Sequence, residues 1–460
     1  MQRLSPDSPL AAMLVALAMA MLQPLSTVQA AETPDDTLVV TGAHVLDPLG
    51  ERWLEGVAVV TAGGRITAIV PEAELPAALE TRRLESDGLW LVPGLLDIHT
   101  HLLLHPYDEA PWDDQVLREP LELRTIRATL AARLTLEAGF TTIRDLGTEG
   151  AGFADVSLRD AVALGWIPGP NIVAVTRAIV ASGCYGPSGF DPRWTIPQGA
   201  QEADGVEGVR RAVREQVAAG ADWIKVYADY RRGKGMPATA TYSQAELDAI
   251  ADEARSAGLK VSSHATTPEG IRRSVLAGVA TVEHGYGATD EVLKLMRDRD
   301  VVLCPTLAAN EAAARYAGWK PGEPEPARLR DCRAMFTRAL RSGVTIACGS
   351  DAGVFAHGDN GREIELMVEY GMSPADALRA ATSVAARVID RDADLGRIAA
   401  GAVADLVLVR SDPLRDPSAL RNPALVLKNG RIAIDRRSEA VKMRLPEPIP
   451  HVPPSPGPDR

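Results

Sequence analysis

The stretch ADWIKVYADYRRGKGMPATATYSQAELDAIADEARSAGLKVSSHA, residues 221–265, holds a short apolar run at each end and an amphipathic segment between them. The two apolar runs have the length of buried strands, whereas the middle segment repeats apolar residues at the helical period. Ser243 followed by Glu246 is a capping box that predicts where the helix begins, and Gly258 predicts where it ends. A strand, a helix and a second strand in this order predict two parallel strands joined by a crossover.

The same alternation runs from about Gly94 to Arg391. Thr267-Pro268 predicts the start of the next helix, and Gly278 its end. The predicted strands number eight: LLDIHTHL, FTTIRDLG, NIVAVTR, DWIKVYAD, LKVSSHA, VATVEHG, VVLCPTL and VTIACGS. Eight such units predict an α/β fold of the (β/α)₈ TIM-barrel class. A doubly wound sheet is the alternative, but no glycine-rich dinucleotide loop follows the first strand.

Strand-like, turn-rich segments lie on both sides of this central zone, which is placed at 93–394. The segment 31–92 contains a predicted hairpin turn at Gly63-Gly64, and strand-like text returns in 395–445 as ADLVLVR and ALVLKNGRIAI. The proline-rich end, 446–460, is predicted to be an extended or disordered tail.

The composition is that of a globular enzyme. Hydrophobic residues make up 46% and charged residues 24% of the 460, which excludes a disordered chain. The net charge of −12 argues against nucleic acid as a partner, because phosphate binding needs a basic surface. The four cysteines contain no CxxC pair, so a zinc ribbon and a redox motif are excluded, while a disulfide remains open.

The first thirty residues have the pattern of a signal peptide. Arg3 precedes the apolar run Leu10–Leu22, and Val28-Gln29-Ala30 is a small-residue cleavage pattern. This run is shorter than the ~20 residues that span a bilayer. The sequence therefore predicts an exported protein, periplasmic or secreted, with no stable membrane insertion after the signal is removed.

Chemistry-bearing side chains fall at the predicted carboxyl ends of the strands, where TIM-barrel active sites lie. They are His99 and His101 on the first strand, Lys225 on the fourth, His264 on the fifth, His284 on the sixth and Asp351 on the eighth. A lone histidine at such a position is more often a hydrogen-bonded core residue, and a buried unpaired lysine is costly. Four of the eight histidines at successive strand ends are poorly explained by chance. His99 and His101 are two residues apart and so face the same side, where both can reach one metal.

The motifs VPGLLDIHTH, IKVY, SSHA, VEHG and GSDAG resemble the signature of the amidohydrolase superfamily, in its binuclear branch with a lysine on strand four. The resemblance includes GFTTIRDLG and GMSPADALRAAT and covers essentially the whole mature chain. More narrowly, the chain is similar to exported Xaa-Pro dipeptidase, aminoacylase and ochratoxin-degrading carboxypeptidase-like members. The family implies a small composite β-sandwich, built from the segments 31–92 and 395–445, beside the barrel. It also implies a homo-oligomer.

The resemblance further implies two divalent metal ions. The first would be held by His99, His101 and Asp351, and the second by His264 and His284, with carboxylated Lys225 as the bridging ligand. A carbamate turns a costly buried cation into an anion that two dications stabilise. Zinc suits imidazole and carboxylate ligands best.

The reaction implied is cleavage of an amide or peptide bond by metal-activated water. Asp351 would act as general base and later deliver the proton to the leaving amine. Tyr227 faces the same side as Lys225. Its hydroxyl either donates a hydrogen bond to the oxyanion or belongs to a packed aromatic side chain, and the sequence favours neither alternative. Asp97 is expected to orient the histidines rather than to bind metal.

One segment departs from the family pattern. After strand three, dipeptidase-like relatives carry a glycine-rich stretch with a histidine, whereas this chain reads ASGCYGPSGFDPRW. Cys184 and Tyr185 take that place, so Tyr185 is a candidate substrate contact. Arg193, Arg231 and Arg232 lie in predicted loops at the catalytic face and are candidates to bind a substrate carboxylate, although any one arginine in such a loop is more often a solvated surface residue. We therefore expect a small amide or peptide substrate that releases an amino acid.

Three alternatives remain. Lactone or phosphotriester hydrolysis could use the same metal pair. A mononuclear deaminase would not use the strand-four lysine. A metal-free binding protein built on the same barrel would usually have lost ligands, whereas all six are present here.

Overall fold

The computed structural model describes residues 36–191, 193–233 and 235–438. The predicted signal peptide (1–30) and the predicted tail (446–460) lie outside these ranges. Within them, no helix has both the length and the apolar character needed to cross a bilayer.

Strands and helices alternate through the middle of the chain, as the sequence predicts. The strands are β1 (Leu38–Thr41), β2 (His44–Leu46), β3 (Trp53–Leu54), β4 (Val57–Ala62), β5 (Arg65–Pro71), β6 (Arg83–Glu85), β7 (Trp90–Pro93), β8 (Leu95–Thr100), β9 (Phe140–Asp145), β10 (Asn171–Ala174), β11 (Ile179–Val180), β12 (Gln201–Glu202), β13 (Ile224–Tyr227), β14 (Asp229–Arg231), β15 (Ala238–Ala240), β16 (Val261–Ala265), β17 (Thr281–His284), β18 (Val302–Cys304), β19 (Leu406–Val409), β20 (Leu425–Lys428) and β21 (Arg431–Asp435). The α-helices are α1 (Trp112–Arg118), α2 (Leu121–Glu137), α3 (Ala154–Ala163), α4 (Gly205–Ala218), α5 (Gln244–Ser256), α6 (Pro268–Ala277), α7 (Asp290–Asp298), α8 (Leu307–Tyr316), α9 (Ala327–Ser342), α10 (Arg362–Glu369), α11 (Pro374–Ala380) and α12 (Ser383–Val388). Short 3₁₀ helices cover Glu72–Glu74, Ala77–Arg82 and Pro417–Arg421.

The central strands pair in parallel, which confirms the predicted α/β class. One sheet has the order β10-β9-β8 and another the order β12-β11-β13-β16-β17-β18. Every pairing within these two sheets is parallel. The register sets Tyr227 beside His264 and Ala265 beside His284, so the polar strand ends face one edge.

The predicted eighth strand, VTIACGS (344–350), is not a regular strand; it forms one isolated bridge, between Ile346 and Leu303. Leu303 donates its backbone N–H to Thr345 and accepts from Ala347, whereas Ile98 donates to Cys348. The segment is thus hydrogen-bonded to β18 on one side and to β8 on the other. A closed eight-stranded barrel remains a prediction, because the regular pairings form two separate sheets.

Helix starts and ends around the site follow the predicted caps. Ser243 caps α5 through a complete capping box with Glu246. Thr267 caps α6 by accepting from the backbone of Gly270, and Gly278 ends that helix in the left-handed conformation at φ 85°. These local signals fix the loops that follow the strands bearing Lys225 and His264.

The remaining strands form two further sheets, apart from the short β14-β15 hairpin. One has the order β5-β4-β1-β6, with the predicted turn at Gly63-Gly64, where φ is 58° and 75°. The other, β21-β20-β19-β7-β2-β3, joins strands from both ends of the chain, with Val407 opposite Val92. That these sheets make a separate sandwich domain stays a prediction. The four cysteines, Cys184, Cys304, Cys332 and Cys348, are buried free thiols, which answers the open question of a disulfide.

Candidate metal centre

A cavity of about 350 Å³ lies at the carboxyl ends of the parallel strands. Its lining includes five of the six predicted metal ligands: His99, His101, His264, His284 and Asp351. The sixth, Lys225, is buried in β13 beside it, with its Nζ 5.4 Å from the ring centre of Tyr227, which also lines the cavity. The structure therefore brings together side chains that are up to about 250 positions apart in the sequence.

His99, His101 and Asp351 form a compact ligand cluster. Oδ1 of Asp351 lies 3.3 Å from Nε2 of His101 and 3.5 Å from Nε2 of His99. One ligand atom of each residue lies within 4.8 Å of the others, and all three residues are buried. Two imidazoles and one carboxylate at this spacing fit a divalent cation.

Hydrogen bonds fix the orientation of these two imidazole rings. Nδ1 of His99 lies 2.8 Å from a carboxylate oxygen of Glu283, and Nδ1 of His101 lies 2.9 Å from the carbonyl oxygen of Gly147. Because both partners accept, each Nδ1 donates to its partner, and each Nε2 is the ring nitrogen that is directed towards Asp351. This is the arrangement that metal-binding histidines require.

His264 and His284 lie next to this cluster. The ring centres of His99 and His284 are 5.1 Å apart, and those of His284 and His264 are 4.5 Å apart. His264 stacks on Tyr227 at 4.4 Å, and Nδ1 of His284 lies 2.7 Å from Oγ1 of Thr306. The imidazoles of His99, His284 and His264 thus form a continuous row.

Lys225 has a buried side-chain nitrogen that the described residues leave unsatisfied. Its side chain is 1% exposed, and its Nζ has no hydrogen-bond partner among the described residues. Burial lowers the pKa of Lys225, against the opposing effect of nearby Glu283 and Asp351. A buried nitrogen without a hydrogen-bond partner costs free energy. These residues therefore fit a bound group that would form a bond to Nζ of Lys225.

Glu283 and Arg144, which the sequence reasoning missed, form an ion pair under the histidines. Arg144 donates from Nη2 to Glu283 at 3.0 Å, and both side chains are fully buried. Although burial alone would raise it, the pKa of Glu283 is held well below its usual range by Arg144 and His99. The sequence did carry a signal for this pair. Arg144 lies inside β9 and Glu283 inside β17, and a charged residue in a buried strand is rare unless it has a partner.

Strained backbone accompanies the site. His284 and Asp351 have positive φ angles of 70° and 62°, and Thr306 has 50°. A non-glycine residue in this conformation costs about 1–3 kcal/mol, and such residues persist where the surrounding structure enforces them. Here they turn the ligands at the strand ends into the cavity.

Asp97 holds the backbone of the ligand-bearing segments. Its carboxylate accepts from the backbone N–H of His99 at 3.1 Å and from the backbone N–H of Ser350 at 2.9 Å. Asn360 also donates to it at 2.8 Å. Asp97 therefore ties β8 to the residue before Asp351, in keeping with an orienting role.

The remaining predicted residues divide into two groups. Tyr185, Tyr227 and Arg231 line the cavity, and Arg232 lines a neighbouring cavity of about 360 Å³ that also contacts Tyr185 and Arg231. Arg193 does not belong with them: its side chain is 84% exposed and pairs with Asp191 at 2.5 Å. A loop sequence carries no periodicity from which this direction could be read.

The sequence reasoning also missed five aromatic or charged cavity-lining residues, of which Tyr230 lies in β14 and the others lie in loops or at a helix start. These are Tyr107, Glu149, Tyr230, Tyr286 and Arg328. None belongs to a motif that encodes contact with the strand ends, so sequence alone offered no signal for them.

Known proteins resemble this chain over most of its length. The amidohydrolase family model matches residues 90–433. Ochratoxinase of Aspergillus niger is 30% identical over 430 residues, which cover 86% of each chain. A prolidase solved with N-methylphosphonate-L-proline has a TM-score of 0.76 at 32% identity, covering 86% of this chain and 99% of that one. A Xaa-Pro dipeptidase solved with bound methionine in the active site has the same TM-score and coverage at 30% identity.

Proposed function

Because the chain belongs to the amidohydrolase family, we propose that it is a metal-dependent hydrolase that cleaves an amide or peptide bond and releases an amino acid with a free α-carboxylate. One observation carries the proposal: four histidines and Asp351 line a single cavity beside a buried lysine whose nitrogen has no partner among the described residues.

The metal ligands are proposed as two sets. His99, His101 and Asp351 would hold one divalent cation, and His264 and His284 a second, with zinc as the best match to these donors. Lys225 would join the sets as a carbamate, in which its amine forms an N–C bond to CO₂ and loses a proton. When bound, the two cations would lower the pKa of the attacking water and polarise the scissile carbonyl.

The protein's own side chains would handle the proton. Asp351 would accept a proton from the attacking water on its carboxylate and deliver it to the nitrogen of the leaving amine. Its Oδ1 faces the Nε2 atoms of both His99 and His101, which places the carboxylate at the centre of the ligand set. The strained φ of Asp351 supports this placement, because it holds the side chain in the cavity.

Tyr227 is proposed as the donor to the oxyanion that forms on the scissile carbonyl. Its ring lies between His264, at 4.4 Å, and Tyr185, at 4.5 Å. Burial raises the pKa of Tyr227 well above its usual value, so the phenol keeps its proton and can donate it in a hydrogen bond.

Arg231 is the proposed anchor for the substrate carboxylate. It lines the cavity, its guanidinium lies over the ring of Tyr230 at 5.2 Å, and it makes no ion pair within the described part of the chain. Two structural relatives were solved with an amino acid or an amino-acid derivative, which supports a substrate of this class. Charge-assisted contacts of arginine with carboxylate are strong when partly desolvated.

The test is a hydrolysis screen with zinc supplied, over dipeptides, N-acyl amino acids and ochratoxin-type amides. On a cleaved substrate, the methyl ester of the carboxylate should lower kcat/KM sharply. Arg231→Gln should remove most of that difference, whereas Arg193→Gln, the solvent-exposed control, should leave it unchanged. Equal rates on acid and ester, or faster cleavage of lactones or phosphotriesters, would contradict the proposal.

Together with this function we propose the closed barrel, the small second domain, export and assembly of the protein. The hydrogen bonds of 344–350 to both β8 and β18 support closure of the two parallel sheets into one (β/α)₈ barrel. The sheet shared by β7 and β19 supports a small domain built from both ends of the chain. Export and assembly into a homo-oligomer rest on the sequence pattern and the family.

A further inference from the structure

Glu149 is a buried carboxylate in the cavity wall that the proposed chemistry does not use. It follows β9 in the loop and lines the cavity, although its side chain is only 1% exposed. Its φ of 51° is positive, so the surrounding structure holds the backbone in a costly conformation. A strained, buried acid at a cavity wall points to a binding role.

The two oxygens of Glu149 are used unequally. Oε2 accepts from the hydroxyl of Tyr185 at 2.5 Å and from Nε1 of Trp112 at 2.8 Å. Oε1 has no hydrogen-bond partner among the described residues. Nδ1 of His101 is 3.8 Å from Oε1, but its proton is directed to the carbonyl of Gly147 at 2.9 Å.

No lysine or arginine of the described ranges forms an ion pair with Glu149. The nearby guanidinium of Arg124 donates instead to the carbonyls of Leu103 and Thr148. A buried carboxylate that pairs with no lysine or arginine is stabilised by a ligand that supplies a positive charge.

Aromatic rings complete the surroundings of this carboxylate. Five of the eight tyrosines of the chain line the cavity: Tyr107, Tyr185, Tyr227, Tyr230 and Tyr286. The faces of such rings attract cations. A carboxylate oxygen without a donor, next to a concentration of tyrosine rings, is a chemical match for an ammonium group.

We propose that Glu149 binds the protonated α-amino group of the substrate, so that the preferred substrates are unblocked dipeptides rather than N-acyl amino acids. This inference rests on the proposed function and narrows its substrate class. Glu149 follows β9 and Arg231 is the last residue of β14, and both line the same cavity. A zwitterionic dipeptide would therefore meet a negative group at its amino end and a positive group at its carboxyl end.

The test compares a dipeptide with its N-acetyl derivative in the wild type and in Glu149→Gln. Glutamine keeps an acceptor for Tyr185 and Trp112 but removes the charge. We expect kcat/KM for the dipeptide to fall roughly tenfold or more, as for a charge-assisted hydrogen bond, with the N-acetyl derivative changed less than about twofold. Glu122→Gln, on the exposed face of α2, is the matched control and should change neither rate.

Binding measurements separate this inference from the proposed function. Calorimetric titration of the metal-loaded protein with a non-cleavable ketomethylene dipeptide should show an affinity that depends on both the free amine and Glu149. If no amide is cleaved but this dependence is found, the proposed function fails and the ammonium site stands. Equal loss on both substrates, equal affinity for blocked and free ligands, or loss of metal from Glu149→Gln would overturn the inference and make Glu149 a positioning residue for His101.

Discussion

Lys225 and Asp351 illustrate how single side chains depend on the site around them. Lys225 is fully buried beside Glu283 and Asp351, yet its nitrogen has no hydrogen-bond partner within the described ranges. Asp351 lies between two histidines on a strained backbone. The position of Lys225 is unfavourable for the free amine, because a desolvated polar group without a partner reduces stability. A carbamate on Lys225 would replace the unpaired nitrogen with an anion that cations in the ligand set would stabilise.

Lys225→Ala should therefore remove most of the activity and most of the bound metal. Alanine leaves no amine to carry the bridging carbamate, so small carboxylic acids added to this variant should restore part of the rate. Metal content by elemental analysis and initial rates measure the effect, with Lys294→Ala on the surface of α7 as the control. Wild-type metal content together with the wild-type rate in Lys225→Ala would contradict a binuclear centre.

Asp351→Asn should lower turnover by about 10²–10⁴-fold, the contribution expected of a general base. Asparagine keeps the size of the side chain but cannot accept the proton, and it weakens one metal contact. Steady-state rates should be measured alongside metal content, with Asp331→Asn on the exposed face of α9 as the control. If Asp351→Asn binds metal and turns over at the full rate, another residue must accept the proton.

At the scale of elements, the sequence predicted what is encoded locally. The capping box of Ser243 and the Thr267 cap lie within a few residues of the helices they start, so the pattern located both helices. Strand alternation likewise placed His99 and His101 on one side. The loop after β9 has no such period, and Glu149 contacts Tyr185 only because the fold brings two loops together. The same lack of period explains why the outward direction of Arg193 was not predictable.

The close approach of 344–350 to β8 gives a prediction at this scale. A Cβ on Gly349 would stand 2.7 Å from Cβ of His99 and would also contact the sulfur of Cys304. Because both neighbours are buried, Gly349→Ala should cost about 1–3 kcal/mol of stability through overpacking and should displace His99. We expect a lower melting temperature and a lower metal content.

Gly208→Ala is the matched control for this prediction. Gly208 lies inside α4, and an added Cβ there has no atom within 4 Å. Alanine should therefore stabilise the protein by about 0.5–1 kcal/mol, because it lowers the entropy lost on folding. A Gly349→Ala variant as stable and as metal-rich as Gly208→Ala would mean that the segment can move away from β8.

At the scale of the whole molecule, the ligand set links distant parts of the chain. His99 lies on β8, His264 on β16, and Asp351 in the segment between the two parallel sheets. Two cations would thus join both sheets and the bridging segment at one edge. The net charge of −12 favours rather than opposes the binding of cations. Metal occupancy should therefore affect the stability of the entire fold.

Removal of metal should lower the melting temperature of the whole protein as well as its activity. A ligand that binds only the folded state stabilises it by RT ln(1 + [L]/Kd), about 2.7 kcal/mol when the ligand is at 100 Kd. Treatment with a chelator should therefore lower the melting temperature in a scan by calorimetry, and added zinc should restore both the melting temperature and the rate. His264→Ala, which lacks one ligand of the second set, should show a smaller change on chelation because less metal is bound at the start. If the chelated and zinc-loaded wild-type proteins melt at the same temperature, the cavity does not bind cations in the folded state, and the orphaned nitrogen of Lys225 must be satisfied by another group.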